Sequence, residues 1–352
     1  MTILESKVYN SDLINLVLKN EQFLKELSRK SIVVTGSTGL IGSAIIDILL
    51  AANRDLSLKM NIYAFARNRE QAISRFGSEN LNNGLSVVSY DAMAPIKFNE
   101  KVDYIIHGAS NASPELYTTK PVETMTANFI GMLHLLNFAK EQNISDRIVY
   151  ISSSEVYGKI NSDQPLVEDN YGEVDILNPR SSYSSSKRAT ETLCVSFYKE
   201  YGVKSIIVRP GHIYGPSSKK NDNRVSSAFV EKAIRGEKIV MKSLGNQKRS
   251  YMYSLDCAMG ILYAMIKGIP GEAYNIANPN SIITIAEMAE IISSISESTL
   301  EFDLPTQTET NNFNPMLNAS LASSKLENLG WQGYFDAKTG FEHTLATLKE
   351  IL

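Results

Sequence analysis

Apolar positions along the chain follow two periods. Short runs of β-branched and aromatic residues stand at 31–35, 60–66, 85–90, 102–107, 146–152 and 203–208. Their length and near-continuous apolarity are those of parallel strands buried on both faces. Between them, near 40–53, 120–142 and 181–202, the apolar residues recur at helical intervals. Strand and helix in alternation predict an α/β fold with a doubly wound parallel sheet. After Pro210 the elements shorten, with helices near 225–235, 254–268 and 284–297 and a short strand at 272–277. Residues 211–352 therefore read as a smaller C-terminal lobe, some of whose chain returns to the sheet. Ahead of the first strand, Leu13, Leu16, Leu18, Phe23 and Leu24 predict one or two amphipathic helices in an extension, residues 1–30, packed on the outside of the sheet. The polar stretches 217–224 and 305–320 read as loops and candidate lids.

The turn after the first strand carries the first chemistry. Thr35 is followed by Gly36-Ser-Thr38-Gly39-Leu40-Ile41-Gly42 and then by an apolar helix. Gly36 permits a tight turn, Gly39 lets a pyrophosphate reach the backbone, and Gly42 lets helix and strand pack closely. The free N–H groups of the helix start face the phosphates. The glycine spacing differs from the commoner dinucleotide fingerprint, and an ordinary strand–helix turn is the alternative. On the dinucleotide reading, residues 31–210 form a Rossmann-type dinucleotide-binding domain and the lobe binds the substrate.

Cofactor choice turns on the end of the second strand, Phe65-Ala66-Arg67-Asn68-Arg69. NAD enzymes place a carboxylate there for the ribose 2′-hydroxyl. None is present, and Arg67 and Arg69 can meet a 2′-phosphate, or else are solvated helix-start residues. The balance favours NADP(H) slightly over NAD(H).

Lys187 follows Tyr183 by four residues, so on a helix the two share a face. The ammonium beside the phenol favours the phenolate, which predicts a Tyr183 pKa lowered toward working pH. Taken alone, such a pair can also be a solvated helix face. The strand at 146–152 ends in the hydroxyl cluster Ser152-Ser153-Ser154, followed by Glu155. Ligands of open α/β sheets lie beyond the carboxyl ends of the strands, so a serine there can bond the hydroxyl that Tyr183 deprotonates. Ser152 reads as part of a capped, water-exposed loop.

Composition narrows the class. The chain has 352 residues and a net charge of −3, which argues against a nucleic-acid binder. Its two cysteines, Cys194 and Cys257, fall in apolar helical runs and read as buried thiols in a reducing, cytoplasmic setting. No run has the length of a membrane span, and no signal peptide is recognisable. The four histidines, 107, 134, 212 and 343, lack metal-ligand spacing.

Glycine turn, serine strand end and Tyr-x-x-x-Lys together resemble the short-chain dehydrogenase/reductase family in its extended form, which acts on nucleotide-activated sugars. The resemblance spans roughly residues 31–350. It implies that Ser153, counted back from Val156-Tyr157-Gly158, is the catalytic serine beside Tyr183 and Lys187. It implies that Asp91 and Ala92 lie at the adenine, and that His107, Ala109 and Ser110 run along the cofactor. Asn128 resembles the family's structural Asn, and Arg249 its diphosphate clamp, with Ser154, Arg180, His212 and Arg224 as further substrate contacts. Glu155 is either an added base or an ion-paired strand-end carboxylate. A homodimer through the helices at 120–142 and 181–202 is implied by analogy.

The central region looks most like UDP-glucuronate decarboxylases, through Ser154-Glu155-Val156-Tyr157-Gly158, Glu168-Asp169 and Asp222-Asn-Arg224-Val225. Two positions depart from the relatives. His212 stands where they place an Asn. Phe313-Asn314-Pro315 stands where the decarboxylases keep the Arg that binds the substrate carboxylate, and no Lys or Arg occurs from 301 to 324. An unpaired carboxylate in a closed site is costly. The expectation is therefore hydride transfer on a nucleotide-diphosphate-linked sugar or polyol, epimerase-type or net reductase. An NADPH-dependent reductase making a nucleotide-linked sugar alcohol, a decarboxylase-like lyase, and a non-enzymatic dinucleotide-sensing scaffold are the alternatives.

Overall fold

The computed structural model describes residues 2–352 apart from 111, 113, 145, 221 and 304–316. The chain opens with helices α1 (Lys7–Lys19) and α2 (Glu21–Leu24). Strand and helix then alternate through β1 (Ser31–Thr35), α3 (Leu40–Leu56), β2 (Asn61–Ala66), α4 (Arg69–Phe76), β3 (Leu85–Ser89) and β4 (Tyr104–His107). Two helices, α5 (Pro114–Thr119) and α6 (Pro121–Glu141), precede β5 (Arg147–Ile151), α7 (Ser182–Tyr201), β6 (Ser205–Pro210) and β7 (His212–Tyr214). Next come α8 (Val225–Ile234), β8 (Ile239–Met241), β9 (Lys248–Tyr253), α9 (Ser254–Lys267), β10 (Ala273–Ile276), β11 (Ile282–Thr284), α10 (Ile285–Ser296) and β12 (Leu300–Phe302). The chain closes with β13 (Asn318–Ala319), α11 (Ser324–Glu327) and α12 (Ala337–Ile351).

Seven strands form one sheet in the order β10-β6-β5-β4-β1-β2-β3, every pair parallel. The order reverses between β1 and β4, which opens the crevice where such sheets bind ligands. All five residues of β1 are buried, as a strand covered on both faces must be. Ile32 and Val34 pack into the core shared with α3 and α9, whereas Val33 faces the core shared with α6 and α7. That alternation is the two-residue period of a strand.

β10 is the seventh strand of the sheet, at its edge beside β6. Helix α9 packs against α3, so residues 254–277 lie with the large sheet. The lobe is built on β9, which pairs with β7, β11 and β13. The last residues of the expected loop 305–320 thus include a short strand, β13. The extension forms α1, which packs on α3 and α12 and buries Tyr9, Leu13, Leu16 and Val17. Leu18, expected on the apolar face, is instead exposed. Ser6 caps α1 by accepting the Tyr9 N–H at 3.2 Å. Among the described residues both cysteines are free and buried, and no helix is long and apolar enough to cross a membrane.

Candidate active site

The glycine turn has the shape that a dinucleotide requires. Gly36 sits at φ +65°, and a Cβ there would lie 2.5 Å from the Gly108 carbonyl carbon. A Cβ on Gly42 would lie 2.3 Å from the Gly36 oxygen, so only glycine lets α3 start this close to the turn. A Cβ on Gly39 would meet nothing within 4 Å except that oxygen at 3.2 Å, which leaves room for a ligand at the backbone. The first N–H groups of α3, at Leu40, Ile41 and Gly42, lie at the helix end that attracts phosphate. Thr38 and Ser110 are half-buried here, and the buried Ser110 Oγ has no hydrogen-bond partner among the described residues. This cradle fits a dinucleotide pyrophosphate.

The surrounding cofactor candidates divide. Arg67 is exposed at the carboxyl end of β2. Asn68 caps α4 by accepting the Gln71 N–H at 2.9 Å, and Arg69 opens that helix in the exposed position. Asp91 is exposed, holds its own loop through the Met93 N–H at 2.9 Å, and precedes the half-buried Ala92. His107 points inward: its Nδ1 lies 2.7 Å from Thr35 Oγ1, which also accepts the Ala109 N–H at 3.3 Å. Burial, then the Lys187 charge, lowers the His107 pKa to about 3, so the ring is neutral and braces the β1–β4 crevice.

Ser153, Tyr183 and Lys187 come together at the carboxyl end of β5. Tyr183 and Lys187 lie one turn apart at the start of α7, and both are buried. The Lys187 ammonium donates to the Ile151 carbonyl at 2.7 Å and stands 5.5 Å from the centre of the Tyr183 ring. Asn128 ties α6 to α7, donating to Thr124 O at 3.0 Å and to Ser186 Oγ at 3.1 Å. Ser153 Oγ accepts the Glu155 N–H at 3.2 Å, which leaves its own proton for the Tyr183 phenol. The phenol pKa is not lowered as the sequence suggests. Burial raises it to about 12, against the bond from Ser153; Glu155 adds to the rise, and Tyr117 and Arg224 oppose it. The same burial lowers the Lys187 pKa to about 7, which weakens the very charge expected to help.

A second buried network holds this end of the sheet. Ser152 is buried, not water-exposed, and donates to Glu191 Oε1 at 2.6 Å. Glu191 receives a two-point bond from Arg209, at 3.0 Å and 2.7 Å, and Arg209 also reaches the Tyr157 hydroxyl at 3.1 Å. Glu191 lies one turn beyond Lys187 on α7, a spacing legible in the sequence, yet nothing local says that β6 brings Arg209 to it. Tyr117 on α5 is a further neighbour that the sequence does not signal: its ring stacks on Tyr183 at 4.3 Å between centroids.

On the lobe side, Arg249 is buried and donates to Lys248 O at 2.8 Å; burial lowers its pKa, against Tyr251 and Glu155. His212 lies open on the cleft, 5.6 Å from the Tyr251 ring. The protein packed around the ring, then Arg249 and Arg224, lower its pKa. Arg224 forks onto Asp222, two residues before it. Arg180 Nη1 stands 3.8 Å from Glu155 Oε2 with both side chains well exposed, a pair worth about 0–1 kcal/mol. Ser154 is half-buried beside them. Phe313-Asn314-Pro315 lies outside the described residues. Among those described, no group of acidic, His and Cys side chains could hold a metal ion.

Comparison with known proteins agrees with this architecture. UDP-glucuronic acid decarboxylase 1 of Danio rerio is 32% identical over 327 residues, which are 92% of this chain and 74% of that protein. UDP-glucose 4-epimerase of Thermotoga maritima, solved with UDP-glucose, shares the fold at a TM-score of 0.74 and 22% identity, over 91% of this chain and 99% of that one. UDP-glucuronic acid 4-epimerase of Bacillus cereus, solved with a fluorinated UDP-glucuronic acid and NAD, does so at a TM-score of 0.76 and 20% identity, over 92% of this chain and 100% of that one. A model of the NAD dependent epimerase/dehydratase family matches residues 32–277. The chain is thus an extended short-chain dehydrogenase/reductase and belongs to the NAD dependent epimerase/dehydratase family of nucleotide-sugar enzymes.

Proposed function

We propose that the chain moves a hydride between a nicotinamide dinucleotide and a carbinol carbon of a nucleotide-diphosphate-linked sugar, UDP-sugars first. The hydride either returns to the same sugar, as in an epimerase, or stays, as in a net reductase. One observation carries the reading: a buried Tyr183 phenol, bonded to Ser153 and one turn from Lys187, within the electrostatic reach of Glu155 and Arg224. As phenolate, Tyr183 takes the proton of the hydroxyl being oxidised; as phenol, it gives one to the carbonyl being reduced. Ser153 orients the reacting oxygen, and Lys187 favours the phenolate and would hold the nicotinamide ribose. The dinucleotide, when bound at the glycine turn, supplies the hydride acceptor or donor. Arg249, with Arg180, Arg224, His212 and Ser154, would hold the diphosphate and sugar.

The test is a panel of UDP-, CDP-, GDP- and dTDP-linked sugars with each dinucleotide, read by nicotinamide absorbance and product mass. An isomer of unchanged mass marks the epimerase, and a product two hydrogens heavier with oxidised cofactor marks the reductase. No turnover of any member would refute both.

Decarboxylation of a nucleotide-linked uronate is the second reading. The 32% identity to UDP-glucuronic acid decarboxylase 1 favours it, as does Glu155 beside the Tyr183 phenol. The absence of Lys and Arg from 301–324 stands against it. Carbon dioxide released from UDP-glucuronate would select it.

For the cofactor, Arg67 exposed at the end of β2 supports a 2′-phosphate, hence NADP(H), although the matching family is described as NAD dependent. Arg67→Ala should weaken NADPH at least about tenfold more than NADH in titration calorimetry. Equal weakening would remove that role. Exposed Val122 and Met125 on α6, with Val195 and Tyr198 on α7, support pairing of two copies through these helices.

A further inference from the structure

We propose that Tyr117 is a further catalytic residue: stacked on Tyr183, it gives a hydrogen bond to the phenol oxygen that exchanges the proton. The proposal rests on the hydride-transfer reading above and names an added member of the same site.

The two rings are parallel to within 11° with centroids 4.3 Å apart, and both side chains are buried. Offset stacking of this kind fixes one ring against the other. Each phenol bears on the titration of the other, so the two hydroxyls lie within mutual electrostatic reach. The placement is built rather than incidental. Ser182, the residue before Tyr183, donates to the Tyr117 carbonyl at 3.2 Å, and Thr124 of α6 donates to Leu116 O at 3.4 Å. Helix α5 is therefore pinned by the same helix start that carries Tyr183.

The direction of the bond follows from the chemistry of the reaction. Burial raises the pKa of both phenols. Tyr183 is the one that exchanges a proton in the proposed reaction; as a phenolate it can only accept, and the protonated Tyr117 beside it donates. Ser153 donates from the other neighbour, and the phenolate then receives two hydrogen bonds in a site that burial has made costly for an anion. The charged and titratable groups facing Tyr183 are Tyr117 of α5, Tyr150 of β5, Glu155, Lys187 of its own helix and Arg224 ahead of α8. Among them Tyr117 is the phenol whose ring stacks on that of Tyr183.

The test reads Tyr183 directly and needs no substrate. In NAD⁺-loaded protein, and again with NADP⁺, the phenolate absorbance is titrated in the parent and in Tyr183→Phe. The difference isolates Tyr183 among the other tyrosines. The same pair is then made on a Tyr117→Phe background, which keeps the stacked ring and removes only the hydroxyl. Tyr183 should ionise about one pH unit higher without the Tyr117 hydroxyl, with dinucleotide affinity and far-ultraviolet circular dichroism unchanged. A Tyr183 titration that does not move in Tyr117→Phe overturns the proposal. Turnover by Tyr183→Phe close to the parent rate would instead refute the hydride-transfer reading, and the titration would still decide on Tyr117.

Discussion

At Tyr183, burial and hydrogen bonding pull in opposite directions. Burial is the larger and leaves the phenol near pKa 12 in the protein alone. The proposed acid/base role then depends on the proposed donors, Ser153 and Tyr117, and on the nearby cations. Tyr183→Phe should keep the fold and dinucleotide binding and lose about 10²–10⁴-fold in rate, measured on the active member of the sugar panel. A variant within threefold of the parent would exclude Tyr183 as the acid/base. Lys187 gives a second residue-scale expectation. Its folded pKa is about 7 against 10.5 for an ordinary lysine. Between those values the unfolded chain binds the proton and the native state does not, so stability rises with pH across that window. Below it both states are charged and the full cost of a buried ammonium is present. Lys187→Met removes this dependence. Its melting temperature relative to the parent should therefore be most favourable below pH 7 and fall as pH rises above 7. A difference that stays flat with pH would mean that Lys187 keeps its proton in the fold.

The glycine turn acts as one element with the helix it starts. β1 delivers the chain buried, Gly36 turns it with a positive φ, and Gly42 lets the first turn of α3 rest on the Gly36 carbonyl. Gly42→Ala would place a methyl 2.3 Å from that backbone oxygen, where no flexible side chain can yield. The turn itself must shift, at about 1–3 kcal/mol. Calorimetric titration should find dinucleotide binding at least about tenfold weaker, with a lowered melting temperature. Unaltered affinity would separate this turn from the cofactor. The network of Ser152, Glu191, Arg209 and Tyr157 does for β5, β6 and α7 what the glycines do for β1 and α3: it fixes the strand end from which Ser153 projects.

At the scale of the molecule, one buried cluster ties the extension to α3, α4 and the loop after β7. The Tyr9 hydroxyl donates to Asp47 of α3 at 2.8 Å, Arg75 of α4 pairs with the same carboxylate at 2.6 Å, and Arg75 also donates to Ser217, in the loop after β7, at 3.0 Å. Asp47 is fully buried. Tyr9→Phe removes one bond and should cost about 1 kcal/mol in denaturant unfolding. Asp47→Ala strands the Arg75 guanidinium and should cost about 3–5 kcal/mol. Similar small losses from both would mean that the cluster is solvated and that α1 is held by its apolar face alone.

The alternation of periods was enough to show a parallel α/β sheet, because strands covered on both faces must be apolar throughout and helices only on one side. Glycine spacing and the Tyr183–Lys187 interval were equally legible, because turn geometry and one helical turn are local constraints. Three things were not. The sequence could not say that β10 closes the edge of the sheet, because a four-residue apolar run fits either lobe. It suggested an acidic Tyr183, whereas the fold buries the pair and raises the phenol instead; desolvation depends on what all the other segments cover. Nor could it bring Tyr117 onto Tyr183, Arg209 onto Glu191 or Tyr9 onto Asp47. Each partner is separated by many residues, and only the packed layers decide which of many compatible side chains meet.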